Sequence, residues 1–235
     1  MFQTILFKIS LYFYFALWSP ILTIGLINKK LTRKILLIES SGVLWLARKI
    51  AHITYEMHYP LTEENGIPLK PNENKRSDGK VIIASKHMST LEVAILFSYV
   101  KNSFFIIKRE LLWIPIYGWA FARIGLIGVN RQSGKTNMNK LAQTVENKIR
   151  NGYTLIIFPE GTRVSPTARP HLKRGLLFLA HELKLPIQPV GVDTGLYWPR
   201  RGKMTPGHAN IYFEDILPSS ATIESISESI NKHSA

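Results

Sequence analysis

The chain has 235 residues, enough for one domain with a sizeable core but not comfortably for two. It contains no cysteine, which excludes disulfides, thiolate metal sites and a cysteine nucleophile. With 46% hydrophobic and 20% charged residues, it is too apolar for a disordered chain. The formal net charge of +14 indicates an anionic partner, and charge alone leaves nucleic acid, an anionic membrane surface and a negatively charged substrate open.

The N-terminal segment is almost wholly apolar from residue 5 to 27 and rich in aromatic side chains. A membrane-spanning helix needs roughly 20 apolar residues, so this stretch is just long enough. A basic cluster follows at once, at Lys29, Lys30, Arg33 and Lys34. Aromatic residues flanked by basic ones suit a membrane interface with anionic headgroups. No small-residue cleavage site follows, so the segment resembles a secretory signal poorly.

A second segment, residues 36–53, carries apolar residues near helical spacing and predicts an amphipathic helix. Together the two segments predict a membrane-anchoring helical hairpin over residues 1–55, which either dips into one leaflet or combines one span with a surface helix. Two core helices of a soluble protein are the alternative. The polar stretch that follows is rich in Pro, Asn and Lys and predicts a linker over residues 56–79.

The remaining residues, 80–235, predict a single domain in which strands alternate with helices. Strands are predicted at 80–85, 103–108, 154–158, 187–192 and 209–213, and helices at 89–99, 114–123, 137–151, 175–183 and 223–230. This alternation predicts an α/β fold with a mostly parallel sheet flanked by helices.

A histidine follows the first of these strands, and a carboxylate comes five positions later, at His87 and Glu92. On a continuous helix this offset would separate the two side chains by about 140°. If His87 instead lies in the turn before the helix, the carboxylate can reach one ring nitrogen and leave the other free to accept a proton. A base of this kind contributes roughly 10²–10⁴ in rate. The alternatives are a structural histidine and a capping box in which Ser89 and Glu92 cap the helix start.

The third strand is followed by Phe158-Pro159-Glu160-Gly161-Thr162-Arg163. Loops at the carboxyl ends of parallel strands are where open α/β sheets bind ligands. Gly161 allows a close backbone approach, Thr162 offers a hydroxyl, and Arg163 offers a fork suited to phosphate, with Glu160 placed to orient it. The alternative is a Pro/Gly turn with a surface ion pair. Lys173 extends this basic rim or lies at a solvated helix start.

Taken in order, these motifs resemble the bacterial 1-acylglycerol-3-phosphate acyltransferases, over about residues 81–213. The further motifs that carry the resemblance are Lys108-Arg109-Glu110-Leu111, Ile114-Pro115, Gly118-Trp119, Arg131, Val190-Gly191-Val192-Asp193 and Trp198-Pro199-Arg200-Arg201. Two positions depart from the family pattern. The usual aspartate is Glu92 here, and the usual Phe-Ile-Asp before the arginine is Gly128-Val129-Asn130.

The resemblance implies transfer of a fatty acyl group from acyl-CoA or acyl carrier protein to the sn-2 hydroxyl of 1-acylglycerol-3-phosphate, giving phosphatidic acid. His87 would be the base and Glu92 its orienting acid, while Arg163, Arg131 and Lys108 would hold the acceptor phosphate. Backbone N–H groups near the helix start after His87 are candidate donors to the oxyanion.

The resemblance implies no metal and no cofactor beyond the acyl donor as co-substrate. The expected partners are membrane lipids, lysophosphatidic acid and the donor, with no nucleic acid, and the expected location is the cytoplasmic face of the inner membrane. Two alternatives remain open: an acyltransferase acting on glycerol-3-phosphate, a lyso-ornithine lipid or another lysophospholipid, and a non-enzymatic basic protein that binds membranes or nucleic acid.

Overall fold

The computed structural model of the chain describes residues 2–60, 80–130 and 136–233. Most of the predicted linker, residues 61–79, and the predicted phosphate-binding residue Arg131 lie outside these ranges.

Two long N-terminal helices, α1 (Phe2–Gly25) and α2 (Lys29–Ile50), form an antiparallel hairpin. Its open end is closed by a hydrogen bond from the Gln3 amide to the Ile50 carbonyl at 2.9 Å. Helix α2 begins well before the predicted residue 36, because the Asn28 side chain accepts hydrogen bonds from the first free N–H groups of the helix. By length and composition, α1 is apolar enough to cross a membrane.

The strands are β1 (Ile53–His58), β2 (Ile82–Ser85), β3 (Ser103–Lys108), β4 (Ile127–Val129), β5 (Thr154–Ile157), β6 (Ile187–Val192) and β7 (Gly207–Phe213). They form one sheet in the order β1-β7-β6-β2-β5-β3-β4. All neighbouring strands are parallel except β6 and β7. The predicted α/β class with a mostly parallel sheet is therefore confirmed.

The remaining helices are α3 (Leu91–Tyr99), α4 (Tyr117–Ile124), α5 (Thr136–Arg150), α6 (Gly175–Glu182) and α7 (Ile223–Asn231), and a 3₁₀ turn at Arg109–Trp113 precedes α4. Strands β1 and β4 were not predicted. The predicted boundary between the hairpin and the linker, at residues 55 and 56, falls inside β1. This strand pairs along its whole length with β7, which is far away in the sequence.

The two faces of the sheet bury separate clusters of apolar side chains. Ile83 and Phe105 belong to the cluster beneath the hairpin and α3. Their neighbours Ile82 and Phe104 belong to the cluster beneath α5, α6 and α7. Because successive strand residues point to opposite faces, a sheet covered on both sides needs continuous apolar runs, and the central strands have them.

Candidate active site

The sequence motifs meet at one edge of the sheet. Strands β2, β3, β5 and β6 run parallel, so the loops that follow them leave from the same carboxyl edge. The loop after β2 carries His87, and the loop after β5 carries Arg163. The sheet topology therefore brings together residues that are far apart in the chain.

His87 lies in the turn between β2 and α3, and Glu92 lies in the first turn of that helix. The His87 Nδ1 atom is 2.8 Å from Glu92 Oε1. The Glu92 side chain is fully buried, whereas about one fifth (19%) of the His87 side chain is exposed. A carboxylate only accepts hydrogen bonds, so Nδ1 carries the proton and Nε2 is left to accept one.

The same carboxylate also caps the start of α3. Glu92 Oε1 accepts from the backbone N–H groups of Met88 at 2.9 Å and Ser89 at 2.7 Å. Ser89 Oγ in turn accepts from the N–H of Leu91 at 3.1 Å. The capping role and the orienting role, which the sequence offered as alternatives, thus belong to one side chain. The Met88 and Ser89 N–H groups are therefore already used, which argues against them as donors to an oxyanion.

Two residues that sequence reasoning missed complete the surroundings of the histidine and its acid. Thr194 donates from its hydroxyl to Glu92 Oε2 at 2.7 Å. The Phe158 ring stacks on the His87 ring, with centroids 4.2 Å apart and 23° between the planes. Phe158 directly follows β5 and Thr194 comes two residues after the end of β6, and both strands lie beside β2. The sheet order would therefore have revealed these residues, whereas linear spacing does not.

Glu160 makes a different contact from the one predicted for it. Its carboxylate is 4% exposed, and Oε1 accepts from the backbone N–H of His87 at 3.2 Å. Across the described ranges it forms no hydrogen bond or ion pair with Arg163, the residue it was predicted to orient. Burial raises the pKa of Glu160 to about 7. Gly161 turns the chain immediately afterwards with a φ of +69°, a conformation that favours glycine.

Arg163 is tied to the histidine turn by two contacts. Its Nη1 donates to Thr90 Oγ1 at 3.2 Å, and the next residue, Val164, donates its N–H to the His87 carbonyl at 2.8 Å. The guanidinium and the imidazole therefore belong to two interlocked loops.

The other predicted binding residues lie at the rim of this edge. Thr162 is exposed and accepts from Arg200 Nη1 at 3.5 Å. The Lys173 side chain is exposed, while its backbone N–H donates to the Pro159 carbonyl at 2.7 Å. Lys108 ends β3 and forms an exposed ion pair with Glu110 at 3.3 Å.

Arg131 lies outside the described residues, two positions after the end of β4 at Val129. Lys108 is paired with Val129 at the end of β4, so the chain toward Arg131 leaves from the same edge as Lys108. Within the described part of the chain, no three His, Asp or Glu side chains are grouped as metal ligands.

The fold and the site together define an α/β protein in which a partly exposed histidine is hydrogen-bonded to a buried carboxylate at the carboxyl edge of the sheet. A family model described as Acyltransferase matches residues 67–193. The chain belongs to this acyltransferase family, as its motifs predicted.

Individual relatives agree with this assignment. A 1-acyl-sn-glycerol-3-phosphate acyltransferase of Pseudomonas aeruginosa is 35% identical over 159 residues, which cover 68% of this chain and 57% of that protein. The chloroplastic 1-acyl-sn-glycerol-3-phosphate acyltransferase LPAT1 of Arabidopsis thaliana is 28% identical over 136 residues, covering 57% of this chain and 38% of the relative. The chain thus spans about half the length, or less, of these relatives.

A solved structure has the same fold. The crystal structure of the 1-acyl-sn-glycerophosphate (LPA) acyltransferase PlsC from Thermotoga maritima superposes with a TM-score of 0.71 and 20% identity. The match covers 98% of this chain and 94% of the other, so the hairpin and the sheet belong to one shared architecture.

Proposed function

We propose that the protein transfers a fatty acyl group from acyl-CoA or acyl carrier protein to the sn-2 hydroxyl of 1-acylglycerol-3-phosphate, forming phosphatidic acid. One observation carries the proposal: the His87 ring is anchored through Nδ1 to the buried Glu92, beside the loop that bears Arg163. The names of the relatives from Pseudomonas and Arabidopsis support this acceptor.

In this mechanism, His87 Nε2 takes the proton of the acceptor hydroxyl while the hydroxyl oxygen attacks the thioester carbonyl. The carbon–sulfur bond then breaks, and the departing thiolate takes the proton from the His87 imidazolium, which restores the neutral base. The Glu92 carboxylate stabilises the imidazolium that forms between these steps, and it holds the ring in the required tautomer. The thioester is already an activated acyl group, so the chain needs no covalent nucleophile.

The acceptor phosphate binds to the guanidinium of Arg163, with Arg131 and Lys108 completing the cationic surface. A planar guanidinium suits two phosphate oxygens at once. Because the Arg163 loop is hydrogen-bonded to the His87 turn, a phosphate held there fixes the hydroxyl at a set distance from the base. Such positioning supplies several kcal/mol of the barrier.

Helix α1 holds the protein in one leaflet, at the cytoplasmic face of the inner membrane. Near its start, the Phe7 ring packs edge-on against Trp198, with centroids 4.8 Å apart. Near its end, Leu22 packs in one cluster with Ile124. A helix held against the domain at both ends lies along its surface, and the opposite stripe, which includes Ile9 and Phe13, is exposed. That arrangement favours immersion in one leaflet over a span.

The test is acyl transfer by purified protein in vesicles that contain lysophosphatidic acid, with acyl-CoA and acyl carrier protein supplied as alternative donors. His87→Ala should abolish phosphatidic acid formation, whereas His181→Ala, at an exposed position on α6, should leave it unchanged. A lysolipid without a phosphate should be a poor acceptor. Full turnover by His87→Ala, or equal turnover of the two acceptors, would contradict the proposal.

A further inference from the structure

A group of basic side chains lies at the tip of the N-terminal hairpin. Strands β3 and β5 pair in parallel from their first residues, Ser103 and Thr154, so both begin at the amino edge of the sheet, opposite the candidate active site. Lys29 begins α2, and its Nζ lies over the ring of Tyr153, 4.6 Å from the centroid. Lys148 comes from the last turn of α5, and its Nζ lies 5.6 Å from the same centroid. Two ammonium groups from distant parts of the chain therefore share one aromatic ring.

Two arginines join the lysines at this edge. Arg33 lies one turn after Lys29 on α2, and its Nη1 donates to the Ser103 carbonyl at 2.9 Å. Arg123 lies in the last turn of α4, and its Nη2 donates to the carbonyl of Ile27, in the turn of the hairpin, at 2.7 Å. Both guanidinium groups are thus fixed by backbone carbonyls. The four side chains that form this hairpin-tip cluster are Lys29, Arg33, Arg123 and Lys148.

The positive charge of the hairpin-tip cluster is not balanced by a carboxylate anywhere in the part of the chain that the structure describes. None of its four side chains forms an ion pair there. The first turn of α2 contains no acidic residue, and the acidic side chain of α5, Glu146, is paired with Arg150 at 2.6 Å. Burial and the neighbouring Lys29 ammonium lower the pKa of Lys148, as expected for like charges brought together. An anion from outside the chain would relieve this repulsion.

Aromatic rings hold the two ammonium groups in place but do not neutralise them. The Lys148 Nζ also lies 5.3 Å from the centroid of the Phe104 ring, which packs edge-on against Tyr153 with centroids 6.5 Å apart. A ring attracts a cation through its quadrupole and carries no net charge. The lysines are therefore positioned in advance, which lowers the entropy cost of binding an anion beside them.

The surroundings of the hairpin-tip cluster indicate the class of anion. Ile24 and Ile27, 63% and 78% exposed, end the apolar stripe of α1 just before Lys29. A ligand that contacts both surfaces has an apolar chain joined to a negative group, as an anionic phospholipid does. We propose that the hairpin-tip cluster is a binding site for the phosphate of an anionic membrane phospholipid, with Lys29 and Lys148 as its principal contacts. The site lies at the opposite edge of the sheet from His87, so it is additional to the acceptor-phosphate site of the proposed function.

The experiment titrates the full-length protein, purified in a neutral detergent, with short-chain phosphatidylglycerol and measures Kd by calorimetry. The Arg163→Ala background is used throughout, because it weakens phosphate binding at the other edge of the sheet. Lys29→Gln and Lys148→Gln should each raise Kd about fivefold, the effect of one basic residue at an anionic lipid surface. Lys140→Gln, at an exposed position about two turns earlier on α5, is the matched control and should leave Kd unchanged.

Two comparison ligands test the class of anion. Short-chain phosphatidylcholine has a zwitterionic headgroup, and inorganic phosphate has no acyl chain, so both should bind at least about fivefold more weakly than phosphatidylglycerol. Phosphatidylcholine bound as tightly as phosphatidylglycerol would overturn the anion site. Inorganic phosphate bound as tightly would overturn the assignment of the site to a lipid.

The variants distinguish a specific site from diffuse charge. If Lys140→Gln raised Kd as much as Lys29→Gln, net charge alone would explain the binding and the site would be refuted. Lys29 is exposed, so Lys29→Gln reports on binding even if Lys148→Gln, which loses contacts with two rings, folds poorly. An unchanged Kd in Lys29→Gln would overturn the proposal. None of these measurements depends on turnover, so their outcome is separate from that of the proposed function.

Discussion

Replacing Glu92 with glutamine separates its capping role from its electrostatic role. The carboxylate accepts from the His87 ring, the Met88 and Ser89 N–H groups, and the Thr194 hydroxyl. Glutamine has the same length, so its oxygen can keep the first three donors, and its amide N–H can donate to the Thr194 oxygen instead. Only the second contact of the Ser89 N–H, with Glu92 Oε2 at 3.0 Å, is lost. The fold should therefore lose only about 1–2 kcal/mol, the difference between charged and neutral hydrogen bonds.

The effect of Glu92→Gln on turnover should be much larger. The imidazolium that forms when His87 takes the proton would lie against a neutral amide instead of a buried anion. Loss of such a partner costs roughly 10²–10⁴ in kcat, or about 3–5 kcal/mol of transition-state stabilisation. The expected result is thus a variant that is folded, nearly as stable as the wild type, and almost inactive.

The assay for Glu92→Gln measures kcat by phosphatidic acid formation and stability by thermal unfolding on the same preparation. Glu182→Gln, at an exposed position on α6, is the matched control and should change neither quantity. A kcat within about threefold of the wild type, together with a lowered Tm, would refute the reasoning, because it would leave Glu92 only its capping role.

Three further predictions concern single contacts. Thr194→Val removes one hydrogen bond to Glu92 but keeps the charge, so kcat should fall no more than about tenfold; a loss as large as that of Glu92→Gln would contradict this. Arg163→Ala should raise the acceptor KM at least tenfold with a smaller change in kcat, and an unchanged KM would argue against a phosphate contact. Burial raises the pKa of Glu39 from 4.5 to about 7, against the opposing hydrogen bond from Tyr117. Because the folded pKa of Glu39 lies above its unfolded value, this residue should lower the stability by roughly 3 kcal/mol as pH rises from about 4.5 to 7. The fall in stability over this pH range should be smaller by that contribution in Glu39→Gln, and the part that remains should include the contribution of Glu160, whose pKa is raised in the same way.

Much of the fold could be predicted because the central strands are apolar runs bounded by turn residues. Strand β3 occupies the predicted residues 103–108 for this reason. Strand β1 was missed although its ITYEMH sequence alternates apolar and polar residues, which is the pattern of a half-buried strand. Its partner β7 lies more than 150 residues away and could not be found from this pattern. Local patterns carry no information about such a partner.

The candidate site was predictable where the chemistry is contained in a short motif. The pairing of His87 with Glu92 follows from their spacing once the histidine lies in the turn. The contact of Glu160 was not predicted, because spacing suggested its neighbour Arg163, while the buried carboxylate points inward and accepts from the His87 N–H. Contacts that cross between strands need the strand order, which no short motif contains.

The choice of glutamate at position 92 leads to a last prediction, since the family's usual acid is aspartate. Glu92 sits in the first turn of α3, and this helix is anchored by the buried side chains of Leu91, Ile95 and Leu96. The aspartate side chain is shorter by one carbon–carbon bond, about 1.5 Å, so its carboxylate would lie farther from the histidine turn. The hydrogen bonds of 2.7–2.9 Å to that turn could then not all form unless the helix shifted. We therefore expect Glu92→Asp to lower kcat by roughly 10- to 100-fold although the charge is kept, as measured in the same phosphatidic acid assay. If Glu92→Asp were as active as the wild type, a negative charge alone would suffice at this position. The distance between α3 and the His87 ring would then not explain why the residue is glutamate.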